Sequence, residues 1–254
     1  MAARLLKIRP TILAATVLGF LQKRLIIERE GLRLYIDPTS NLGFMINRYG
    51  TYEELTIRIF RQYIRPGDIV LDIGANEGFF SALAGLLAGP DGKVIAVEPQ
   101  SRLQDVLEIN LALNRHAPFE IIRGVVAEID GQEAEINLFP ATNTGATSLV
   151  RKVRLGSRVE KVRAWTPQAI ARHCGIDRFD FVKIDVEGFE PEVVRSLEPL
   201  LSRRVVRTIL LDFHSSILAA RGLNPEDTHQ RILAHGYVQQ EGDPRSEYVV
   251  YTAD

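Results

Sequence analysis

From residue 68 onward the apolar positions alternate between short continuous runs and longer segments with helical spacing. Ile69–Ile73 reads as a strand and Phe79–Ala88 as a helix, followed by strand Val94–Val97, helix Ser101–Asn114 and a short strand near Glu120–Arg123. The rhythm returns in strand Phe179–Ile184, helix Pro191–Leu201, strand Thr208–Leu211 and helix Pro225–Ala234. Such alternation predicts parallel strands joined by right-handed crossovers, with helices on both faces of the sheet. Between the two halves, Ala134–Phe139 and Val159–Ala164 read as extra strands bracketing a polar loop, Ala141–Ser148. The end, Tyr237–Gln240 and Tyr248–Tyr251 around Gly242-Asp-Pro-Arg245, reads as a hairpin. The predicted class is α/β and Rossmann-like, a mostly parallel sheet closed by an antiparallel last strand.

Upstream of this rhythm, Gly31–Ile36 alternates like a strand and Thr51–Tyr63 reads as a helix stopped by Arg65-Pro-Gly67. Residues 1–48 therefore read as a helical and strand extension, and 49–254 as the main domain. Arg4, Lys7 and Arg9 precede an apolar run from Thr11 to Leu21, which has the outline of an export signal. The run is shorter than the ~20 apolar residues of a spanning helix, and no small-residue cleavage pattern precedes Gln22-Lys-Arg24. An amphipathic helix on the core or a partner is the preferred reading over a membrane-surface or export role. A formal charge of −1 gives no overall pull toward nucleic acid or anionic membrane. One cysteine, Cys174, excludes an internal disulfide and suits a reducing cytoplasm, the expected location.

The turn after the first main strand, Asp72-Ile-Gly-Ala-Asn-Glu-Gly78, sits where open α/β sheets bind ligands. Gly74 and Gly78 permit a tight turn and close ligand approach. Asp72 and Glu77 add negative charge, and no lysine or arginine lies between Asp68 and Gly92. A phosphate would be repelled, whereas S-adenosylmethionine carries an ammonium and a sulfonium. Glu98 ends the next strand, where an acidic side chain can accept both ribose hydroxyls. NAD also has a ribose diol, so a nucleotide-dependent oxidoreductase stays open, as does a non-catalytic binding or interaction protein.

Five segments then carry a resemblance: Gly50-Thr-Tyr-Glu53, Arg65 through Gly78, Val97-Glu-Pro99, Asn110-Leu-Ala-Leu-Asn114 and Val182-Lys-Ile-Asp-Val-Glu-Gly-Phe-Glu190. Over roughly Tyr49 to Leu211 the sequence resembles the FkbM-type family of class I S-adenosylmethionine-dependent methyltransferases. The resemblance implies a class I methyltransferase fold on a seven-stranded sheet, cofactor contacts from Asp72, Gly74, Asn76 and Glu98, and methylation of a hydroxyl oxygen. In this fold the adenine edge lies after the third strand, which points to backbone near Val126 or Ala127. The sequence departs from the family at Trp165-Thr-Pro-Gln168, a helix start, and at Asp212-Phe-His214, beside the expected chemistry.

Methyl transfer is an in-line displacement, so the protein must align the hydroxyl and remove its proton. Asp185 and Glu187 follow one strand, and Asp212 and His214 end another. His214 is the candidate general base, Asp185 orients the hydroxyl or meets the methionine ammonium, and Glu187 either joins them or caps the next helix. Lys183 points to the other face of its strand or pairs with an acid. Asp185, Asp212 and His214 also offer ligands suited to Mg²⁺, although spacing alone does not establish a metal site and none is assigned. His116, His173, His229 and His235 read as structural. The cluster Arg151, Lys152, Arg154, Arg158, Lys161 and Arg163 reads either as a solvated face or as a site for an anionic acceptor. The expected acceptor is a small molecule or saccharide, with no nucleic acid partner, since no aromatic residues interleave the basic ones.

Overall fold

The computed structural model describes residues 24–138, 158–245 and 248–253. The apolar run before Leu21, the loop Ala141–Ser148, and Arg151, Lys152 and Arg154 lie outside them. Two short strands, β1 (Leu25–Arg29) and β2 (Leu32–Ile36), form an antiparallel hairpin, followed by helices α1 (Asn41–Tyr49) and α2 (Glu54–Tyr63). The alternating half comprises β3 (Ile69–Ile73), α3 (Phe79–Ala88), β4 (Lys93–Val97), α4 (Ser101–Leu113) and β5 (Phe119–Ile122). Next come β6 (Val125–Val126), β7 (Glu133–Leu138), β8 (Arg158–Trp165) and α5 (Pro167–Cys174). The second half runs β9 (Phe179–Ile184), α6 (Glu190–Leu201), β10 (Val206–Asp212), α7 (Ser215–Ala220), α8 (Pro225–Ala234), β11 (Tyr237–Gly242) and β12 (Tyr248–Ala253).

The main sheet has seven strands in the order β11-β12-β10-β9-β3-β4-β5. β12 inserts antiparallel between β10 and β11, while β10, β9, β3, β4 and β5 pair in parallel. The predicted architecture is therefore found. The two extra strands of the middle, β7 and β8, pair antiparallel and join β6 in a small separate sheet. β6, β1, α1 and α7 went unpredicted, because they are short or carry too little apolar periodicity. In β1 only the central residue, Ile27, is even half-buried.

Alternation along the central strands divides the core. Val70, Val94, Phe181 and Leu210 face α2, α3 and β2, whereas Leu71, Ile95, Val182 and Ile209 face α6 and α8. Residues upstream of 49 share the first of these cores: Leu32, Leu34, Ile36, Leu42 and Ile46 are buried with Phe60, Phe80 and Leu83. Asn110 of α4 and its C-cap residue Asn114 tie the hairpin to that helix. Their side-chain oxygens accept from the backbone N–H groups of Tyr35 (2.6 Å) and Arg33 (2.9 Å), and their amides donate back to the same residues' carbonyls.

The parity of the strands also decides which polar groups reach the ligand end. Asp72 and Lys183 are register partners on β3 and β9 and share the α3 face with Val70 and Phe181.

Replacing Leu34, which is fully buried, with alanine is expected to cost about 2–5 kcal/mol in urea unfolding. Leu25→Ala on the exposed edge should stay within about 0.5 kcal/mol. Equal effects would mean that the hairpin is not part of the cooperative core.

Candidate active site

An open cleft lies at the carboxyl ends of β3, β4, β9 and β10. Backbone geometry builds it. Gly74 has φ +89°, and a Cβ there would collide with the carbonyl oxygen of Asp185, so only glycine lets β3 turn this close to β9. Among the described residues, five non-glycine positions have positive φ, and three of them, Glu53, Asn76 and Glu187, line this cleft. Strain of this kind persists where surrounding structure holds it and concentrates at functional sites.

On one side, Glu98 is buried at the end of β4. Its Oε2 accepts the Asn76 N–H and its Oε1 the Gln100 N–H, both at 2.9 Å. Burial raises its pKa to about 7 even though those two amides favour the charged form. Next to it, Gly124, Val125, Val126 and Ile136 make an apolar wall.

On the other side, β9 and β10 contribute Asp185, Glu187, Asp212 and His214. The Nδ1 of His214 lies 2.8 Å from Oε1 of Glu190, which is fully buried and also accepts the Gly188 N–H. A carboxylate only accepts, so Nδ1 carries the proton and Nε2 turns to the cleft, 3.7 Å from Glu187 and 3.8 Å from Asp185. Burial lowers the His214 pKa, but the bond to Glu190 and the charges of Asp185, Glu190 and Glu187 outweigh it and hold it at about 9. Burial and the neighbouring Asp185 push Asp212 up to about 7. For Asp185, burial is outweighed by Lys183 and His214, and its pKa is lowered.

Several sequence expectations are corrected here. Asp72 does not line the cleft: it is fully buried on the α3 face, accepting from the Ser81 hydroxyl at 2.6 Å and lying 3.8 Å from the Lys183 ammonium. Lys183, by contrast, pairs with an acid as expected, 2.9 Å from Asp185. Gly78 caps α3 against Leu107, away from the cleft. The N–H of Ala127 is taken by the Trp165 carbonyl, whereas Val126 does line the apolar wall. Glu77 is also turned away and pairs with Arg24 at 3.0 Å, so it lends the cleft no charge. His214 stands among three carboxylates that keep it charged, which disfavours it as a base. Gly74, Asn76, Glu98, Asp185 and Glu187 do meet in one cleft. Sequence reasoning left Tyr52, Glu53 and Glu190 without roles, although the quoted motifs contained all three.

Comparison with known proteins fits this geometry. Residues 72–238 match the family described as methyltransferase FkbM domain. The chain belongs to the FkbM methyltransferase family. This FkbM chain is 25% identical over 206 residues to the AMB antimetabolite synthetase AmbE of Pseudomonas aeruginosa, covering 68% of this chain and 10% of that protein. It is 32% identical over 106 residues to a ribosomal RNA large subunit methyltransferase E of Acinetobacter baumannii, covering 41% of this chain and 48% of that protein. The chain thus spans a tenth to about half of these relatives. Among solved structures, the Methanococcus jannaschii fibrillarin pre-rRNA processing protein shares the fold, with 14% identity, a TM-score of 0.51, and coverage of 91% of this chain and 83% of that one.

FkbM methyltransferases use S-adenosylmethionine, and the residues present suit it. Glu98 offers a carboxylate for a diol, the wall around Val126 offers an apolar face, and the lining carboxylates Glu53, Asp185, Glu187 and Asp212 favour a cation over a phosphate. The only basic side chain lining the cleft among the described residues is His214.

Because burial raises the Glu98 pKa from 4.5 to about 7, its contribution to stability is fully present below about 4.5 and is lost as pH rises through about 7. Glu98→Gln should remove that dependence. Thermal melts of the free protein are expected to show the variant gaining on wild type between pH 5 and pH 8, and parallel melting curves would contradict the assignment.

Proposed function

We propose that this FkbM methyltransferase transfers the methyl group of S-adenosylmethionine to a hydroxyl oxygen of a small, uncharged, hydroxylated molecule such as a saccharide. The observation that carries the reading is the convergence of Asp185, Glu187, Asp212 and His214 at one end of a cleft whose other end holds Glu98. When bound, the cofactor supplies a methyl carbon made electrophilic by a sulfonium, and its departure leaves a neutral thioether.

In this reading Glu98 accepts the ribose hydroxyls, Asn76 and Gly74 shape the turn beside them, and the backbone at Val126 borders the adenine. Asp185, anchored by Lys183, meets the cofactor's ammonium or the acceptor hydroxyl. His214, oriented by Glu190, hydrogen-bonds the acceptor oxygen through Nε2. Glu187, close to that nitrogen, takes the hydroxyl proton, a contribution of typically about 10²–10⁴-fold. The ring of Tyr52, packed edge-on against Phe79 at 5.4 Å, borders the acceptor side next to Glu53.

An anionic acceptor loses support from two directions. The cleft is lined with carboxylates, and two members of the basic cluster are already paired: Lys161 with Glu133 at 2.6 Å, and Arg163 with Asp130 at 3.2 Å while stacking on Trp165.

Tritium transfer from labelled S-adenosylmethionine to a panel of neutral polyols, phosphorylated sugars, RNA and protein tests this reading. Neutral hydroxylated compounds should be labelled, and His214→Asn should lower kcat by about 100-fold with the affinity for S-adenosylhomocysteine unchanged. Labelling of RNA or protein alone would refute the acceptor class.

A further inference from the structure

The end of β10 and the loops that follow β9 and β10 bring together one ligand atom each from Asp185, Asp212 and His214, all within 4.8 Å of one another. Each of the three presents its atom for a different reason. Asp185 commits Oδ2 to Lys183 at 2.9 Å, which leaves Oδ1 toward His214 at 3.8 Å. Asp212 is half-buried, and its carboxylate has no hydrogen-bond or ion-pair partner among the described residues. His214 has its Nδ1–H fixed on Glu190, so Nε2 is directed to the two aspartates. A ring nitrogen turned inward while its partner N–H is held by a carboxylate is the arrangement found behind metal-ligating histidines.

A separate observation points the same way. Glu190 has no exposed surface, and its Oε2 has no partner. A fully buried carboxylate with an orphaned oxygen is costly unless positive charge stands close by. Lys183, the buried cation of this region, is spent on Asp185 and Asp72, so Glu190 is balanced by His214 alone and Asp212 by no cation within ion-pair distance among the described residues.

We propose that Asp185, Asp212 and His214 form a binding site for one divalent cation, Mg²⁺ or Mn²⁺, which ligates the acceptor's hydroxyl oxygen. This rests on the reading above for the place of the acceptor. Binding of the ion displaces the Nε2 proton of His214, which then meets the acceptor through the ion rather than by a direct hydrogen bond. Two carboxylate oxygens and one imidazole nitrogen leave the remaining positions of a six-coordinate ion to water and the acceptor. The cation lowers the energy of the alkoxide, the hydroxyl proton passes to Glu187 or to solvent, and the ion is unchanged at the end of the turnover. Glu190 is then a positioning residue, acting through His214.

The test is titration of the chelator-stripped full-length protein with Mn²⁺, following loss of the free-ion EPR signal, with S-adenosylhomocysteine affinity measured by calorimetry on the same sample. The expected result is one saturable Mn²⁺ per chain, weakened about 10-fold or more by Asp212→Asn and also by Glu190→Gln. Glu98→Gln should leave Mn²⁺ binding intact while weakening S-adenosylhomocysteine. Absence of saturable Mn²⁺ binding in a sample that binds S-adenosylhomocysteine, or wild-type Mn²⁺ affinity in Asp212→Asn, overturns the cation site and leaves the cofactor reading standing. Mn²⁺ binding by a chain that does not take S-adenosylhomocysteine supports the site and refutes the cofactor reading.

Discussion

The ammonium of Lys183 is buried beneath the cleft, 2.9 Å from Asp185 and 3.8 Å from Asp72, and the arrangement of the ligand end depends on it. Burial opposes its charge, yet Asp185, Asp72 and Glu53 together hold its pKa well above the ordinary lysine value. Asp72 in turn accepts from Ser81 at the start of α3, so a single cation ties β3, β9 and the first turn of that helix. Removing one partner from such a buried pair typically costs about 3–5 kcal/mol, because the other charge is left uncompensated. The pair also fixes the one orientation of Asp185 in which its second oxygen reaches the cleft.

Above that support the cleft divides into two chemistries. The β4 end combines one buried carboxylate with an apolar wall, a combination suited to a nucleoside. The β9 and β10 ends crowd carboxylates around a single imidazole. Because no arginine or lysine among the described residues lines the space, phosphates are disfavoured throughout, and the low local dielectric makes that preference stronger than it would be in water. The FkbM fold thus carries its selectivity for a cationic cofactor in side chains rather than in the glycine turn, which many nucleotide-binding proteins share.

Much of this was legible in the sequence. The alternation of strand and helix from Ile69 to Ala234 and the placement of Glu98, Asp185 and His214 at strand ends follow from periodicity. What escaped was side-chain direction. Asp72 looks like a strand-end ligand, but strict two-residue alternation puts it on the same face as Val70 and Lys183. Glu77 looks like part of the charged loop, but the left-handed Asn76 turns the chain so that Glu77 meets Arg24, an upstream residue no local pattern connects to it. Glu53 and Glu187 reach the cleft through positive φ angles that a sequence does not announce for non-glycine residues. Glu190 reads as a helix start, and only the tertiary fold shows that it orients His214. In the small sheet Lys161 of β8 pairs with Glu133 of β7, a partner that a count of charges along the chain cannot reveal.

The central claim is that this acidic, Glu98-anchored cleft takes a cationic nucleoside cofactor and rejects a phosphate-bearing one. Isothermal titration of the full chain with S-adenosylhomocysteine and, separately, with NAD tests it most directly. The account predicts one S-adenosylhomocysteine site per chain with a Kd on the order of micromolar and no measurable NAD binding at comparable concentration. NAD binding as tight as S-adenosylhomocysteine would contradict it.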